Sequence, residues 1–491
     1  MTKSKQALPP GWDTELLGNL GAWTGGGTPS KANKAFWEGG TIPWVSPKDM
    51  KAERIQTSED LITEVAVGQS SAKYIDAGSV LMVTRSGILA HTFPVTVTER
   101  VVTVNQDLKA LTPHEGVDVD FLAWYLRSQN SRILTSCAKH GTTVASIDTD
   151  RLHKLSVPIA PLDEQIRIVE KIETLFAELD KGEESLRQVQ TLLARYRQSV
   201  LKAAVTGELT ADWRAERAGK LEHGRDLLER ILQTRRETWE GRGRYSEPSP
   251  PAGSDLPLLP EGWVWASVGQ LANVIGGLTK NSKRASMPLK KPMLRVANVY
   301  QNRLDLADVH QIGVTEAELP RVLLQPLDLL VVEGNGSRDQ IGRMAVWREE
   351  VLDAVHQNHL IKIRMVEKDL VELALWWFQS PNGRVNIEQV ASSTSGLYTL
   401  SISKIESLAV PLPSVEEAHE ISRRVTDIFS QTDQLERSVE LEFARSAALR
   451  QSILKDAFSG RLVPQDSNDE PAAELLARIH RSQEAGRAAK R

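Results

Sequence analysis

The chain has 491 residues, 41% of them hydrophobic and 25% charged, and because single cores rarely grow beyond about 250–300 residues, this length predicts several domains. The formal net charge is −4, so any contact with DNA has to come from local basic loops or from a partner protein. The single cysteine, Cys137, excludes an internal disulfide framework. The lack of a ~20-residue apolar run and of a secretion signal after Met1 favours a cytoplasmic location.

Residues 1–156 are predicted to form a mixed α/β globule, which opens with Leu-Pro-Pro-Gly-Trp at residues 8–12. Short β-branched runs at residues 79–84 and 100–104 predict strands, and the aromatic-rich run at 121–126 predicts a helix. The glycine-rich run at 25–31 has the wrong spacing for a phosphate-binding loop and is interpreted as a mobile surface loop. Trp12 and Trp124 are expected in the core.

Residues 157–210 predict a long helix with a coiled-coil seam. After an acidic first turn, apolar residues recur in sevens, and such a repeat is typical of a helix that packs along another helix. One series is Ile168, Leu175, Gly182, Val189 and Tyr196. The other series is Ile172, Leu179, Leu186, Leu193 and Val200. Gly207 is predicted to end the helix, which would then span roughly 60–65 Å.

Residues 211–258 are predicted to hold a short amphipathic helix at 226–231 and a flexible connector rich in Gly and Pro. The first pattern then recurs 251 to 253 residues downstream, beginning with Leu-Pro-Glu-Gly-Trp at 259–263. Residues 259–409 predict a second globule, with a strand at 327–332, a helix at 373–378, and Trp263, Trp376 and Trp377 in the core. A second long helix follows at 410–463 and ends near Gly460. The tail at 464–491 repeats the short helix at 474–479.

The second long helix keeps one offset, 253 residues, from the first, but its seam is less apolar. Its predicted seam residues are Ile421, Val425, Ile428, Leu435, Val439, Leu449 and Ile453. Thr432, Glu442 and Ser446 interrupt the pattern. The two helices are expected to pack antiparallel against each other; the alternative is that each lies on its own globule. The sequence thus predicts an α+β fold, with two mixed α/β domains separated by two long antiparallel coiled-coil helices and a pseudo-twofold internal repeat.

Polar and basic side chains on the predicted loops are candidates for DNA contact. Arg, Asn and Gln read guanine and adenine edges, while Lys and Ser suit phosphates. The candidates in the first globule are Lys31, Lys34, Ser46, Lys48, Arg85, Ser86, Asn105 and Gln106. The candidates in the second globule are Lys280, Asn281, Lys283, Arg284, Arg295, Asn335, Ser337, Arg338, Gln357 and Asn358. For each of them, the alternative is a solvated loop residue or a turn former.

No catalytic signature accompanies these candidates. The chain has neither a P-loop nor the Asn/Asp-Pro-Pro-Tyr/Phe tetrapeptide of adenine N6-methylation, and His-Gln-Asn-His at 356–359 is not a zinc-protease motif. Residues 333–337 begin like a dinucleotide fingerprint, but the next glycine, Gly342, is off register. We therefore expect no catalytic, cofactor-binding or metal-binding residue.

Several of these features resemble the specificity subunits of type I restriction–modification systems. The resemblance rests on the two Leu-Pro-x-Gly-Trp openings, on Val157-Pro158 followed by Asp-Glu-Gln at 163–165, and above all on residues 449–464, Leu-Arg-Gln-Ser-Ile-Leu-Lys-Asp-Ala-Phe-Ser-Gly-Arg-Leu-Val-Pro. Glu-Glu-Ala at 416–418 departs from the Glu-Gln that is usual where such a helix opens.

The resemblance implies two target-recognition domains, 1–156 and 259–409, that each read half of an asymmetric bipartite site in double-stranded DNA. It implies conserved spacer helices at 157–210 and 410–463, which set the gap and dock two adenine methyltransferase subunits. Restriction and translocase subunits would complete the complex. The chain itself would be non-catalytic and would bind no cofactor, since S-adenosylmethionine belongs to the methyltransferase partner and ATP and Mg to the restriction partner.

Two physical expectations follow. A rigid two-headed reader requires half-sites about one duplex turn apart, roughly 34–36 Å. Because each globule carries 16 basic and 16 acidic residues, the isolated chain should bind DNA weakly and with a strong salt dependence. The alternative function is a coiled-coil adaptor, with protein-binding globules and no role at DNA.

Overall fold

The computed structural model describes residues 8–139, 144–239, 244–251, 256–335, 337, 340–394 and 397–488. The chain divides into two compact units: unit 1 comprises Met1–Leu186 and Glu440–Arg491, and unit 2 comprises Arg187–Val439. Each unit therefore holds one globule and a segment of each long helix. Within the described ranges, every helix is too short or too polar to cross a lipid bilayer.

Globule 1, the part of unit 1 that precedes the first long helix, combines short strands with short helices. The strands are β1 (Asp13–Leu16), β2 (Gly21–Gly25), β3 (Ile42–Val45), β4 (Arg54–Ile55), β5 (Leu61–Ile62), β6 (Tyr74–Ile75), β7 (Val80–Val83), β8 (Val95–Thr98), β9 (Val102–Val104), β10 (Leu108–Pro113) and β11 (Ser156–Ile159). The helices are α1 (Glu64–Gln69), α2 (Val119–Ser128), α3 (Asn130–Ser136) and α4 (Thr149–His153). The strands predicted at 79–84 and 100–104 and the helix predicted at 121–126 are confirmed as β7, β9 and part of α2.

Two sheets form the core of globule 1, one with the order β2-β10-β7-β8-β4 and one with the order β5-β3-β9-β6. All four residues of β7, Val-Leu-Met-Val, are buried, as expected for an apolar strand that is covered on both faces. Trp12 and Trp124 are 8% and 5% exposed, so their predicted place in the core is confirmed. β1 pairs antiparallel with β11, which leads into the first long helix.

The first long helix, α5 (Leu162–Val205), has 44 residues, or roughly 65 Å at 1.5 Å per residue. It ends before Gly207, whose φ of +74° is the left-handed conformation expected of a glycine that ends a helix. Two shorter helices follow, α6 (Ala211–Glu216) and α7 (Gly224–Glu237). Leu227 and Ile231 of α7 are buried in the core of unit 2, which confirms the predicted amphipathic helix.

Globule 2, the part of unit 2 between the long helices, repeats this architecture. Its strands are β12 (Val264–Ser267), β13 (Ala272–Gly276), β14 (Lys290–Leu294), β15 (Val299–Tyr300), β16 (Arg303–Leu304), β17 (His310–Gly313), β18 (Leu329–Val332), β19 (Gly334–Asn335), β20 (Met344–Val346), β21 (Val355–His356), β22 (Leu360–Met365), β23 (Ser392–Thr394), β24 (Leu397–Thr399) and β25 (Ala409–Leu412). Its helices are α8 (Val268–Leu271), α9 (Leu319–Val322), α10 (Val371–Gln379), α11 (Pro381–Val390) and α12 (Ile402–Ser407).

The principal sheets of the two globules have the same connectivity. In globule 2 the order is β13-β22-β18-β20, which matches β2-β10-β7-β8 of globule 1 strand for strand. The predicted strand at 327–332 is confirmed as β18 and the predicted helix at 373–378 as part of α10. Trp263, Trp376 and Trp377 are at most 6% exposed, as predicted. The internal repeat is therefore a repeat of topology as well as of sequence.

The second long helix, α13 (Val415–Ala457), has 43 residues and is followed by Gly460, with φ +67°. The tail helix α14 (Ala472–Ala488) buries Leu475, Leu476 and Ile479 in the core of globule 1. The short amphipathic helix predicted in the tail is thus confirmed. Its packing on globule 1 matches that of α7 in unit 2, so each unit combines the globule of one copy with the short helix that ends the other copy.

Within each unit, α5 and α13 run antiparallel. In unit 1, Glu183 accepts a hydrogen bond from Ser446 at 2.7 Å, and Ile168 clusters with Ala457. In unit 2, Arg197 pairs with Glu436 at 3.1 Å, and Val205 clusters with Ala418. In both units, higher numbers on α5 meet lower numbers on α13, which confirms the predicted antiparallel pair.

The seam follows the predicted positions only in part. The predicted seam residues with exposures of at most 7% are Ile168, Ile172, Val200, Ile421, Val425, Val439 and Ile453. Half-buried ones are Leu179, Leu186 and Leu193. The assignment to the seam is wrong for four exposed residues: Val189 (38%), Tyr196 (51%), Leu435 (54%) and Leu449 (49%). Thr432 and Ser446, interpreted as interruptions, are buried.

The reason lies in helix geometry and in satisfied hydroxyl groups. Only one of the two seven-residue series on α13 stays in the contact along the helix, and it keeps the strict heptad spacing of a coiled-coil seam. On α13 the series that stays buried is 425, 432, 439, 446 and 453. Burial of two hydroxyls is tolerated because Thr432 donates to the carbonyl of Ile428 and Ser446 donates to Glu183.

Candidate nucleic-acid interface

Three loops of globule 1 that carry predicted DNA-contacting residues lie side by side. We call them loop A1 (residues 26–37), loop B1 (85–87) and loop C1 (105–107). The backbone N–H of Gly27 in A1 donates to the carbonyl of Val104 at 2.9 Å, just before C1, and the Thr28 hydroxyl contacts the Gln106 side chain. The N–H of Arg85 in B1 donates to the carbonyl of Asp107 at 3.2 Å. The fold thus brings together segments that lie up to 80 residues apart in sequence.

Globule 2 assembles the equivalent loops in the same way. They are loop A2 (277–289), loop B2 (333–335) and loop C2 (357–359). Leu278 in A2 donates its N–H to the carbonyl of His356 at 2.8 Å and accepts from the N–H of Asn358 at 3.0 Å. The N–H of Glu333 in B2 donates to the carbonyl of His359 at 3.0 Å. The same three-loop arrangement therefore occurs once in each globule.

A glycine lets the backbones of loops A and C cross closely in each globule. A Cβ atom on Gly26 would lie 2.0 Å from the carbonyl oxygen of Asn105, and one on Gly277 would lie 2.3 Å from that of His356. Gly27 and Pro29 are buried. The interpretation of residues 25–31 as a mobile surface loop is therefore wrong. The glycines are there because two backbones meet, a contact that is invisible in the local sequence.

A fourth segment, which the sequence patterns did not indicate, joins the interface. In globule 1, Arg85 forms an antiparallel bridge with Ser146, and Ser86 donates its N–H to the carbonyl of Ala145 at 3.1 Å. In globule 2, β19 pairs with β24, with Asn335 opposite Tyr398. Ser146 and Tyr398 are 252 positions apart, so the internal repeat offered a signal that could have identified both segments.

Several candidate side chains in these loops are exposed. In globule 1 these are Lys31, Lys34, Arg85 and Gln106. In globule 2 these are Lys280, Asn281, Lys283 and Ser337, while Gln357 and Asn358 are half-buried. Lys34 makes a solvent-exposed contact with Glu38 at 3.5 Å, a type of pair that contributes little to stability and is easily exchanged. Arg338 lies outside the described residues, as does the side chain of Asn335.

Other candidates are engaged within the protein. Ser46 is 7% exposed and donates to Asp49 at 2.8 Å, while Asn105 is 6% exposed and donates to Asp107 at 3.1 Å. Ser86, half-buried, accepts from the N–H of Ile88 and caps a turn of 3-10 helix. These contacts give the three residues a structural role in holding their loops, and contact with DNA stays a prediction for them.

The remaining basic candidates are held by carboxylates. Lys48 contacts Glu59 at 2.7 Å and Asp60 at 3.0 Å, and hydrogen bonding to Glu59, with a second bond to Asp60, raises the pKa of its ammonium group. Arg295 donates to Asp308 at 2.7 Å. Arg284, 11% exposed, pairs with Glu318. For these three residues too, contact with DNA stays a prediction.

A buried polar cluster stiffens the sheet behind the loops of globule 2. Asp328, 1% exposed, accepts two hydrogen bonds from Arg364, each at 2.7 Å. Lys362, fully buried, donates to the carbonyls of Arg321 and Leu323 at 3.0 and 2.8 Å. Burial lowers the pKa of Lys362 to about 8. Charges this well bonded brace the framework that carries loops B2 and C2.

The described residues contain no group of three or more His, Cys, Asp or Glu side chains placed to hold a metal ion. The loops carry exposed ammonium groups, which suit phosphates, and guanidinium and amide groups, which suit base edges.

Comparison with known proteins defines the class of protein to which this interface belongs. Residues 9–188 match the family model described as a type I restriction modification DNA specificity domain. The chain is 45% identical over 185 residues to the EcoR124I/EcoR124II specificity subunit of Escherichia coli, an alignment covering 36% of this chain and 45% of that one. It is 29% identical over 378 residues to the EcoKI specificity subunit of E. coli K12, covering 75% of this chain and 73% of the other.

Solved structures share the fold. One, from work on complex assembly and conformational transition of the type I R-M system, matches with a TM-score of 0.61 at 20% identity and covers 93% of this chain and 99% of its own. The HsdS subunit of Thermoanaerobacter tengcongensis matches with a TM-score of 0.50 at 18% identity, covering 94% of this chain and all of its own.

Residues 9–188 belong to the family of type I restriction modification DNA specificity domains, and the EcoKI relative that aligns with 75% of the chain is a type I specificity subunit. The predicted resemblance is thereby confirmed. Members of this family confer DNA sequence specificity and are the non-catalytic components of their complexes, so the expectation that the chain is not itself an enzyme is also confirmed.

Proposed function

We propose that this specificity subunit recognises an asymmetric bipartite site in double-stranded DNA, with one half read by residues 1–156 and the other by 259–409. The observation that carries the proposal is the convergence of loops A, B and C in both globules. The backbone frame is the same in each, while the exposed side chains differ. Such a pair of surfaces can bind duplex DNA in equivalent ways and still prefer different bases.

The long helices support a role as a spacer between the half-sites. Each unit joins them with the same clamp at positions 253 residues apart. In unit 1, Arg450 pairs with Asp180 at 2.6 Å and with Glu183 at 3.2 Å. In unit 2, Arg197 pairs with Asp433 and Glu436. A helix pair held by the same clamp in both units suits a ruler of fixed length.

Exposed apolar side chains on α5, one of which has an apolar counterpart on α13, support docking of the methyltransferase subunits. Val189, Leu192 and Tyr196 on α5 are 38%, 61% and 51% exposed and follow helical spacing, so they share one face. Leu449 on α13, the repeat equivalent of Tyr196, is 49% exposed. Apolar residues repeated on a long exposed helix suit a partner helix. We propose that two adenine methyltransferase subunits cover these equivalent positions and that restriction subunits join the full complex.

The partners would supply the chemistry that the chain does not provide. S-adenosylmethionine would bind to the methyltransferase subunits, and ATP and Mg to the restriction subunits. The predicted cytoplasmic location is where these partners and chromosomal DNA would meet. The balanced charge of each globule also suggests that the partners contribute phosphate contacts.

Methylome sequencing of the host, with and without this gene, tests the proposal. We expect one split adenine-methylation motif to disappear on deletion and to return on complementation. A complementing copy in which residues 259–409 come from another specificity subunit should change only one half of the motif. Loss of no motif would contradict the proposal and would favour the coiled-coil adaptor, and a change in both halves would contradict the assignment of one globule to each half-site.

A further inference from the structure

Loop A2 is fastened by a half-buried ion pair. Arg284 donates from Nη2 to Oε1 of Glu318 at 2.7 Å and from Nη1 to Oε2 at 3.1 Å. The Arg284 side chain is only 11% exposed. Two parallel bonds between a planar guanidinium and a carboxylate fix orientation as well as distance. Hydrogen bonding from Arg284 lowers the pKa of Glu318 to about 2, so the pair stays charged across the physiological range.

The same guanidinium also ties the loop to a neighbouring strand. Its Nε donates to the carbonyl of Thr279 at 2.9 Å, and Nη1 donates to the carbonyl of Gly313 at the end of β17 at 3.0 Å. A Cβ on Gly313 would lie 2.1 Å from the carbonyl oxygen of Arg284, so a glycine is needed for this close approach. With a carboxylate and two carbonyls already bound, Arg284 has little hydrogen-bonding capacity left for a base edge.

Glu318 is itself held in place. It accepts from the backbone N–H of Thr315 at 3.2 Å and from the Thr315 hydroxyl at 2.9 Å, just before α9 begins. The ion pair therefore connects loop A2 to a fixed point of globule 2. The same loop carries Lys280 and Lys283, both exposed and without an ion-pair partner among the described residues.

We infer that Arg284 and Glu318 form a positioning pair for the second half-site: they do not touch DNA, but they hold Lys280 and Lys283 in the direction that DNA binding requires. The inference rests on the proposed function. It also replaces the expectation that Arg284 reads a base or binds a phosphate. A direct contact by Arg284 and a positioning role lead to opposite results when Glu318 is changed.

Glu318→Gln makes the distinction through the sign of the effect. Removing a negative charge beside a DNA-binding loop would tighten binding through electrostatics alone. If the pair positions the loop, the same change weakens binding. The binding partner is a DNA duplex that carries the motif mapped by methylome sequencing, and the subunit is assembled with its methyltransferase partner. We expect the Glu318→Gln complex to bind this duplex roughly tenfold more weakly than the wild-type complex does. The loss should disappear on a duplex in which the globule 2 half of the motif is scrambled.

Two further variants serve as control and second test. Asp353→Asn also removes one negative charge from globule 2, but it acts outside loop A2, where Asp353 Oδ2 pairs with Lys291 Nζ at 2.7 Å. This variant should leave the affinity for DNA unchanged or slightly higher. Arg284→Lys keeps the charge but loses the bidentate geometry. It should weaken binding as much as Glu318→Gln, with the same salt slope as the wild type, and combining the two changes should add little.

The outcomes separate the two hypotheses. Fluorescence anisotropy gives the affinities, and thermal melting shows which variants are folded. If Glu318→Gln unfolds the chain, Glu318→Asp carries the test, because it keeps the charge but shortens the side chain and should weaken binding only if the pair positions the loop. Equal or tighter binding by these variants, while the wild type keeps its sequence preference, overturns the positioning role and leaves the proposed function intact. A wild-type complex with no sequence preference overturns both.

Discussion

The two globules share one framework but anchor their lysine-bearing loops by different means. Loop A1 inserts Phe36, 7% exposed, into a small apolar cluster with Trp44 and Ile62. Loop A2 also buries Leu278 in an apolar cluster, and it adds the Arg284–Glu318 ion pair. The sheet order and the glycine crossing are common to both. The two globules therefore keep the same sheet and glycine crossing but differ in the contacts that hold loop A. Each loop can vary in sequence without disturbing the sheet behind it.

Phe36→Ala is expected to have the largest effect. Removing a buried phenyl ring costs about 3–5 kcal/mol, because the contacts are lost and a cavity remains. Denaturant unfolding should show this loss, and it should hardly depend on salt because the anchor is apolar. Val65→Ala on the neighbouring helix α1, where the side chain is 48% exposed, should change stability by less than about 0.5 kcal/mol. A Phe36→Ala loss that salt alters strongly would contradict the difference between the two anchors.

Gly26→Ala and Gly277→Ala test the part that the globules share. Each new methyl group would overlap a backbone carbonyl, at 2.0 and 2.3 Å respectively, so each variant should lose about 2–3 kcal/mol. Gly68→Ala is the control, since a methyl group on Gly68 would point into open space, with no neighbouring atom within 4 Å, and α1 should gain about 0.5–1 kcal/mol. Equal losses of stability in the two globules would support the conclusion that loops A and C cross in the same way in both. If Gly277→Ala caused no loss, the crossing in globule 2 would differ from that in globule 1.

The helix clamps allow a third comparison. Arg450 lies over the ring of Phe176 and Arg197 over that of Phe429, each 4.9 Å from the ring centre. Both arginines are about one-fifth exposed, so each change to Gln should cost about 1–2 kcal/mol. Arg445→Gln, at a residue 76% exposed, is the control and should have almost no effect. Unequal losses at the two clamps, measured by thermal unfolding, would argue against a symmetric ruler.

Features with a local sequence signature could be predicted. The β-branched runs that form β7 and β18, the aromatic helices α2 and α10, and the glycines that end both long helices all follow from propensity and periodicity. The candidate loops were also identified, because polar residues follow apolar strands. Each of these sequence patterns is contained within a few residues, and each occurs once in each copy of the internal repeat.

Features that depend on distant partners could not be predicted. Ser446 is buried where its hydroxyl donates to Glu183 on the opposite helix, a partner 263 residues away. Leu435 and Leu449 are exposed because the second apolar series turns away from the contact. Arg284 looked like a free loop cation, since its acceptor, Glu318, is 34 residues away. In each case the deciding contact is one that only the folded chain creates.

The smallest expected effect concerns the entrances to the two long helices. Trp12 donates its indole N–H to Glu164 at 3.0 Å, and Trp263 donates to Glu417 at 2.8 Å. Glu417 also accepts from Thr210 and Arg214. The second oxygen of Glu164 is buried with no hydrogen-bond partner among the described residues. Desolvation raises the pKa of Glu164 above its usual 4.5.

The raised pKa of Glu164 sets the sign of its contribution to the pH dependence of stability. A carboxyl group whose pKa is raised by folding contributes stability that is fully present below pH 4.5 and is lost as the pH rises through the folded-state pKa. Glu164→Gln cannot ionise, so its stability relative to the wild type should rise across that window and then level off. Urea unfolding of both proteins between about pH 4 and 8 measures the difference in their free energies of unfolding. The contributions of the other carboxylates are the same in both proteins and cancel in this difference. A difference that stays flat or falls with pH would mean that Glu164 is no less satisfied than Glu417, and the asymmetry between the two helix entrances would have no energetic consequence.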